Sequence, residues 1–420
     1  MSDLIEAVFT SDANGSQWTC CAWDPRTGTN VMMYKGGGAA AENSLVLVRH
    51  EYLITANNTK PMLHIWPLNS QDQVSGTRFI TPGKVLSLDV SPDGNYLVAG
   101  IQEVVHIWHL CSGKMITALS KHYQAVTKIK FTDDGSHFLS AGQDGNIVVW
   151  NLTKAISTNQ KEAQPLYTLS GHGLSVTDFH VGAGGVRALL YTVSLDRTCR
   201  VYDLSTGNLL LDIVFPEAMQ RIVVNKSETV AYLGSVSGRI YEVNLCSPPR
   251  SREYHIGIEE SKNSFTGHNG SVTCLALSVD GELLISGGVD ENVNIWHTPS
   301  RQLIRTLPHK GKISNVAFTC VTRRLKEPLE AKHKPSFVVT GNLKRMVDVE
   351  DDNYVVETIV NEAIEVTSAR PKRPAVVTST GTATTDSSNE IEKLRAQINE
   401  LQKVNKELFN FCAKQSLLRE

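Results

Sequence analysis

Three stretches of this chain share one frame: "SAGQDGNIVVWNL" (140–152), "TVSLDRTCRVYDL" (192–204) and "SGGVDENVNIWHT" (286–298). In each, an aspartate precedes an aromatic residue by six positions: Asp144 and Trp150, Asp196 and Tyr202, Asp290 and Trp296. A histidine stands upstream of each aspartate (His122, His172, His268), and Ser286 sits inside the third copy. Taken alone, Ser286, Asp290 and His268 are the residue types of a nucleophile, an orienting carboxylate and a general base. Taken with the other copies they are not, because an enzyme has no use for three versions of one triad around a domain. A repeated building block does. Weaker copies read "HIWPL" (64–68), "HIWHL" (106–110), "RIYEV" (239–243) and "CCAWD" (20–24).

Histidine, serine or threonine, aspartate and tryptophan at these spacings resemble the structural tetrad of WD-repeat β-propellers. There the side chains bridge neighbouring strands of a blade by hydrogen bonds, as polar groups buried between strands must. The intervals fit four short strands per repeat. "SVTCLAL" (271–277) is a nearly continuous apolar run, expected of a strand covered on both faces. "SVDG" (278–281) is a turn whose glycine supplies the left-handed position, and "SPDG" (91–94) and "TDDG" (132–135) repeat it. "ELLISGG", "NVNIWHT" and "QLIRTL" follow as the remaining strands. The fold class is therefore all-β. Aromatic strand ends lie at 23, 66, 108, 150, 202, 241 and 296, and a degenerate set follows in "KISNVAFTC" (312–320) and "SFVVTGNLKRMVDVE" (336–350). One blade per end gives eight. Closure of the ring by pairing "LIEAVFTS" (4–11) and "WTCCAWD" (18–24), as outer strands, with the segment from 312 gives seven and leaves no open edge. Seven blades over residues 1–350 is the expectation, with eight the alternative.

Of the 420 residues 41% are apolar, enough for a large core, and the net charge of −2 gives no global attraction to nucleic acid or anionic lipid. The eight cysteines show no CxxC pair or regular spacing, which fits reduced thiols. The opening "MSDLIEAVFTSD" has neither the basic nor the apolar region of a secretory signal, and no apolar run reaches membrane-spanning length. A soluble intracellular protein without cofactor or metal is expected. His64 and His106 precede "IW" in strands and read as inter-blade residues rather than metal ligands.

Two inter-strand segments exceed what a blade needs: 246–265, with paired prolines, and 320–335, where Arg323, Arg324, Lys326, Lys332 and Lys334 cluster. Neither interleaves aromatics for base stacking, so direct RNA recognition is only weakly indicated. Residues 351–389 are rich in Thr, Ser and Pro and read as a flexible linker, within which "RPKRP" (370–374) looks like a short nuclear-import signal. Residues 390–420 contain no Gly or Pro, and Ile391, Leu394, Ile398, Leu401, Asn405, Leu408 and Cys412 alternate spacings of three and four. That is the a/d seam of a coiled-coil helix, with Asn405 at an a position favouring a defined two-stranded register. Val404, Phe409 and Phe411 lie off the seam and add apolar surface for a further contact. A homodimer through this helix is the expectation.

The chain as a whole resembles the propeller subunits of the rixosome, a complex of large ribosomal subunit maturation. The likeness rests on "WTCCAWDPRTG", "YKGG" (34–37), "LSKHYQAVTKIKFTDDGSHFLSAGQD" (119–144) and, most specifically, "LQKVNKELFNF" (401–411). The resemblance implies a non-catalytic scaffold in the nucleolus and nucleoplasm, bound to a helical-repeat scaffold subunit. It also implies contact with pre-ribosomal large subunits and the AAA ATPase midasin, and a link to processing of the second internal transcribed spacer. A substrate receptor of a cullin-type ubiquitin ligase is the rival reading. A Gβ-like signalling subunit fits less well, since its helix normally precedes the propeller.

Overall fold

The computed structural model describes residues 4–74, 79–157, 164–246, 251–257, 264–322 and 342–346. Strands dominate, and they assemble into seven sheets, each a blade with an antiparallel four-stranded core. Blade 3 shows the pattern: inner strand Val126–Phe131, second His137–Gly142, third Ile147–Asn151, outer Tyr167–Leu169. Blades 1 and 2 begin with the inner strands Val46–Val48 and Val85–Val90. Blades 4, 5 and 6 begin with Val176–Val181, Met219–Val224 and Val272–Leu277. In blade 6 the strands Leu283–Gly288, Asn292–His297 and Gln302–Pro308 follow in the anticipated order. The glycines of the three x-x-D-G turns, Gly94, Gly135 and Gly281, all have φ between +69° and +78°. A side chain there would be strained, which is why the turn repeats as a motif.

Blade 7 is built from both ends of the chain. Ile313–Thr322 is its inner strand, and Leu4–Asp12 pairs with it from Leu4 opposite Thr322 to Asp12 opposite Ile313. Cys20–Trp23 and Asn30–Tyr34 complete the sheet. The expected closure is therefore present, but the two N-terminal runs are its second and third strands rather than its outer ones. Asn30–Tyr34 takes the edge.

The core lies between blades. Leu139, Ile147 and Leu169 of blade 3 pack with Val176, Phe179 and Leu190 of blade 4 in one cluster. Ala7, Phe9 and Cys20 of blade 7 do the same with Leu53 and Trp66 of blade 1. Each sheet thus buries both faces against its neighbours, which accounts for apolar runs such as that of Val272–Leu277. Cys20 and Cys21 are both buried, and burial pushes both thiols well up, which suits inert core residues. All seven cysteines among the described residues are free.

Two of the long segments add to the ring. From 246–265, Glu253–His255 forms a fifth strand parallel to Leu209–Val214 at the edge of blade 4, and Ser264–Phe265 is the outer strand of blade 5. Of 336–350, residues 342–346 return to blade 2 instead of starting an eighth. The Lys344 N–H donates to the Gly113 carbonyl at 2.8 Å, and Leu343 is buried in the cluster shared by blades 1 and 2. The basic cluster Arg323–Lys334, the linker 351–389 with "RPKRP", and the coiled-coil segment 390–420 with Ile391, Leu394, Ile398, Leu401, Asn405, Leu408, Phe409 and Phe411 lie outside the described residues. No helix among the described residues is long and apolar enough to cross a membrane.

Candidate functional site

The repeated polar residues meet inside single blades. In blade 6, His268 Nδ1 lies 3.0 Å from both oxygens of Asp290, and its Nε2 lies 2.7 Å from Ser286 Oγ. The Trp296 indole N–H donates to the same hydroxyl at 2.8 Å. One assignment satisfies every group: Trp296 N–H to Ser286 Oγ, Ser286 O–H to His268 Nε2, His268 Nδ1–H to Asp290. The second Asp290 oxygen accepts the Asn269 backbone N–H at 3.1 Å, tying the loop before the inner strand to the hairpin between the second and third strands.

This relay has the order of a hydrolytic triad, and burial decides what it is for. Ser286 is 0% exposed, and its oxygen already accepts the tryptophan N–H. No carbonyl carbon can approach it, so it cannot serve as a nucleophile. The four side chains cross-link three elements of one blade.

Blade 3 repeats the arrangement: His122 Nδ1 to Asp144 at 3.2 Å, His122 Nε2 to Ser140 Oγ at 2.8 Å, Trp150 N–H to Ser140 at 3.1 Å. In blade 4, His172 meets Asp196 at 2.9 Å and Thr192 Oγ1 at 2.8 Å. Tyr202, standing where the others have tryptophan, is buried in the core shared by blades 3 and 4. Burial alone would raise the Asp196 carboxyl. The hydrogen bonds from His172 and Thr198 outweigh it, and the group is held well below the usual carboxylate range.

A fourth constellation is divided between the ends of the chain. His309 Nε2 lies 2.8 Å from Thr10 Oγ1, which also accepts the Trp23 indole N–H at 2.8 Å. Sequence reading noticed only "CCAWD". The histidine stands hundreds of positions downstream of its partners, and Thr10 precedes Trp23 by 13 residues rather than the 10 of the other copies. Ring closure itself was the available signal, since it makes the loop ahead of 312 the upstream neighbour of the N-terminal strands.

Blades 1 and 2 keep the tryptophan without its bond to a hydroxyl. By register, Thr55 and Ala99 occupy the places corresponding to Ser140 and Ser286. The Trp66 indole instead donates to the Lys35 carbonyl and that of Trp108 to the Lys344 carbonyl, both at 2.9 Å. The returning segment 342–346 therefore satisfies a donor that blade 2 cannot satisfy alone. The His64 and His106 rings lie tilted against these indoles, with centroids 5.9 and 5.5 Å apart, and His64 Nδ1 meets Gln73 at 3.1 Å. In blade 5, Phe215 stands in the histidine's place with its ring 5.7 Å from that of Tyr241, and Glu217 accepts from Tyr241 and Ser237.

Four histidines of this framework, His122, His309, His64 and His106, are shifted by burial toward the neutral form. Burial lowers His122 more than Asp144 raises it, and burial likewise lowers His309, His64 and His106. A histidine lowered in the folded state binds a proton more readily when unfolded. Its contribution to stability is complete above the unfolded value of roughly 6.5 and is lost as pH falls below it. The melting temperature should be flat between pH 7 and 8 and should fall progressively from pH 6.5 to 5. A scanning-fluorimetry series showing no fall in that interval contradicts the neutral assignment.

Fold and repeats define a WD-repeat β-propeller. The family model described as "WD domain, G-beta repeat" matches residues 113–151, 163–203 and 259–297, which cover the blades holding His122, His172 and His268 or their partners. The WD repeat-containing protein 18 of Rattus norvegicus is 35% identical over 83% of this chain and 80% of its own length. That of Bos taurus is 30% identical over 99% and 98%. The pre-rRNA-processing protein IPI3 of Yarrowia lipolytica is 30% identical over 84% of each chain. The chain belongs to the WD repeat-containing protein 18 family.

Proposed function

We propose that this chain is a non-catalytic scaffold subunit of a nuclear complex acting in large ribosomal subunit maturation, including processing of the second internal transcribed spacer. The observation that carries the reading is the similarity over 84% of both chains to a protein named for pre-rRNA processing. Full use of the triad-like residues by the fold supports the non-catalytic part. On this reading the protein works in the nucleolus and nucleoplasm. Its partners are the helical-repeat scaffold subunit of the rixosome and, through the complex, the pre-ribosomal large subunit and midasin. Residues 390–420 pair two copies along the Ile391–Leu408 seam.

Affinity purification of the full chain from nuclear extract, read by mass spectrometry, tests this. Large-subunit assembly factors should be enriched, and cullin components without them would sink the reading. Leu401→Lys with Leu408→Lys should give a monomer by light scattering with the propeller's melting unchanged. Phe409→Ala with Phe411→Ala should keep the dimer and reduce recovery of the scaffold subunit.

A further inference from the structure

The upper end of the central channel, where the inner strands begin, is a cavity of about 440 Å³ lined by all seven blades. Its charges do not balance. Lys84, Arg221 and Lys312 face it from blades 2, 5 and 7, and Glu42, in the loop entering blade 1, is the one carboxylate among the described residues that line it. Lys312 holds Glu42 at 2.6 Å, and Arg221 reaches it at 3.5 Å across the bore, from a blade that is not its neighbour. Lys84, exposed, has no ion-pair partner among the described residues. Three cations against one carboxylate leave a surplus of two positive charges. A second cavity of about 230 Å³ shares Arg221 and Asn43 with the first, and apart from Arg221 its charges pair off. Lys128 meets Asp178, and Lys130 meets Asp89 at 3.2 Å. Burial, joined by the nearby Lys128, pushes His180 down to about 4, so that ring adds no charge. The surplus belongs to the upper end. Arg221 there is 8% exposed, and it donates to the Thr273 carbonyl and, at 3.4 Å, to that of Thr177. A guanidinium fixed and desolvated in this way is costly to bury, and an anion offsets that cost on binding. The side-chain amides of Asn58, Gln143 and Gln220 also line the cavity without a hydrogen-bond partner among the described residues. No aromatic ring among the described residues lines it.

We propose that the upper cavity binds a small, hydroxyl-bearing phosphate monoester of the size of a sugar phosphate. A phosphate monoester carries a charge of about −1.5 to −2 at pH 7, which matches the surplus. Its phosphoryl oxygens accept from Arg221, Lys84 and Lys312, and its hydroxyls meet the three free amides. The cavity is larger than an inorganic phosphate ion needs, and it offers no ring on which a nucleobase could stack. This site does not depend on the ribosome-assembly reading, and either can fail without the other.

Isothermal titration calorimetry on the full chain tests this, with ribose 5-phosphate, glucose 6-phosphate, inorganic phosphate and ribose as probes. At least one sugar phosphate should bind with a Kd of about 1 mM or tighter, and ribose should give no heat. Inorganic phosphate should bind at least about threefold more weakly, since it leaves the amides unused. Lys84→Gln should weaken binding of the sugar phosphate by about threefold to tenfold. Glu42→Gln should act in the opposite sense and tighten it by a similar factor, because the surplus charge rises from two to three. Both side chains are exposed, so both variants should stay folded, which melting curves check. No heat from either sugar phosphate at millimolar concentration, or affinities indifferent to both variants, overturns the proposal. Inorganic phosphate binding as tightly as the sugars overturns the assignment of the amides to ligand hydroxyls. A 5′-phosphorylated oligouridine that binds more tightly than ribose 5-phosphate, and loses that advantage without its phosphate, makes the cavity a holder of RNA ends and overturns the small-molecule site.

Discussion

A chain lacking residues 1–25 is expected to aggregate rather than to fold as a shorter ring. The deletion removes Leu4–Asp12 and Cys20–Trp23, the second and third strands of blade 7. Ile313–Thr322 would then lose its whole pairing partner, and Asn30–Tyr34 would have no neighbour. Ala7, Val8, Phe9, Cys20, Cys21 and Ala22 are each 0% exposed. Val8 and Phe9 alone contribute about 3–6 kcal/mol of burial, comparable with the roughly 5–15 kcal/mol net stability of a domain. The hydrogen bond between Thr10 and His309 and the one Thr10 accepts from the Trp23 indole go as well. What remains presents an unpaired strand edge beside exposed core, the combination that promotes intermolecular pairing. Soluble yield and light scattering measure the outcome. Deletion of 361–420 is the control, and should leave a soluble propeller whose melting matches that of the full chain. Equal melting of the N-terminal deletion and the full chain would show that the ring does not need this closure.

Much of this architecture was legible because the propeller repeats its own chemistry. The Asp-to-aromatic interval is set by the geometry of a hairpin and its third strand, so Asp144, Asp196 and Asp290 could be placed from spacing alone. The x-x-D-G turns were equally plain, because only glycine sits comfortably at Gly94, Gly135 and Gly281. What stayed hidden was whatever depends on distance along the chain. His309 and Thr10 are separated by 299 positions, and no local pattern joins them. Lys344 caps Trp108 through its main-chain carbonyl, an interaction available to any residue type and therefore without a sequence signature. The hydroxyls Ser140 and Thr192 went unsingled for a gentler reason: serine and threonine are common in strands, and only the third copy's Ser286 drew attention through its likeness to a nucleophile. The parallel edge strand Glu253–His255 also lay within a segment whose prolines and mixed charge read as loop. It needs little sequence preference, since its pairing partner is the exposed edge of blade 4.

Replacing Trp296 with alanine should cost about 3–5 kcal/mol, the range for emptying a well-packed aromatic site. Trp296 is 2% exposed and meets the Phe265 ring edge-on at 5.6 Å. The space left would have little chance to collapse, because the strands around it are held by register on both sides. Asp290→Ala removes no comparable volume. It strands the His268 Nδ1–H and the Asn269 N–H, at a cost of about 1–3 kcal/mol, toward the lower end because the Asp290 side chain is partly open to water. Trp296→Phe separates packing from hydrogen bonding: it keeps most of the ring and loses only the donor to Ser286, so it should cost far less than alanine. The structural reading therefore fixes a ranking by chemical denaturation, with Trp296→Ala most severe. It also requires that any cellular defect follow the amount of soluble protein. A catalytic role for the Asp290–His268–Ser286 relay predicts the reverse: Asp290→Ala would abolish a hydrolytic activity in a protein that stays folded, and Trp296 would be incidental. Because Ser286 has no exposed atom and its oxygen is already held by the indole, a folded and inactive Asp290→Ala variant would require the blade to open for chemistry. That one observation would overturn the assignment of all three relays as cross-links of the fold.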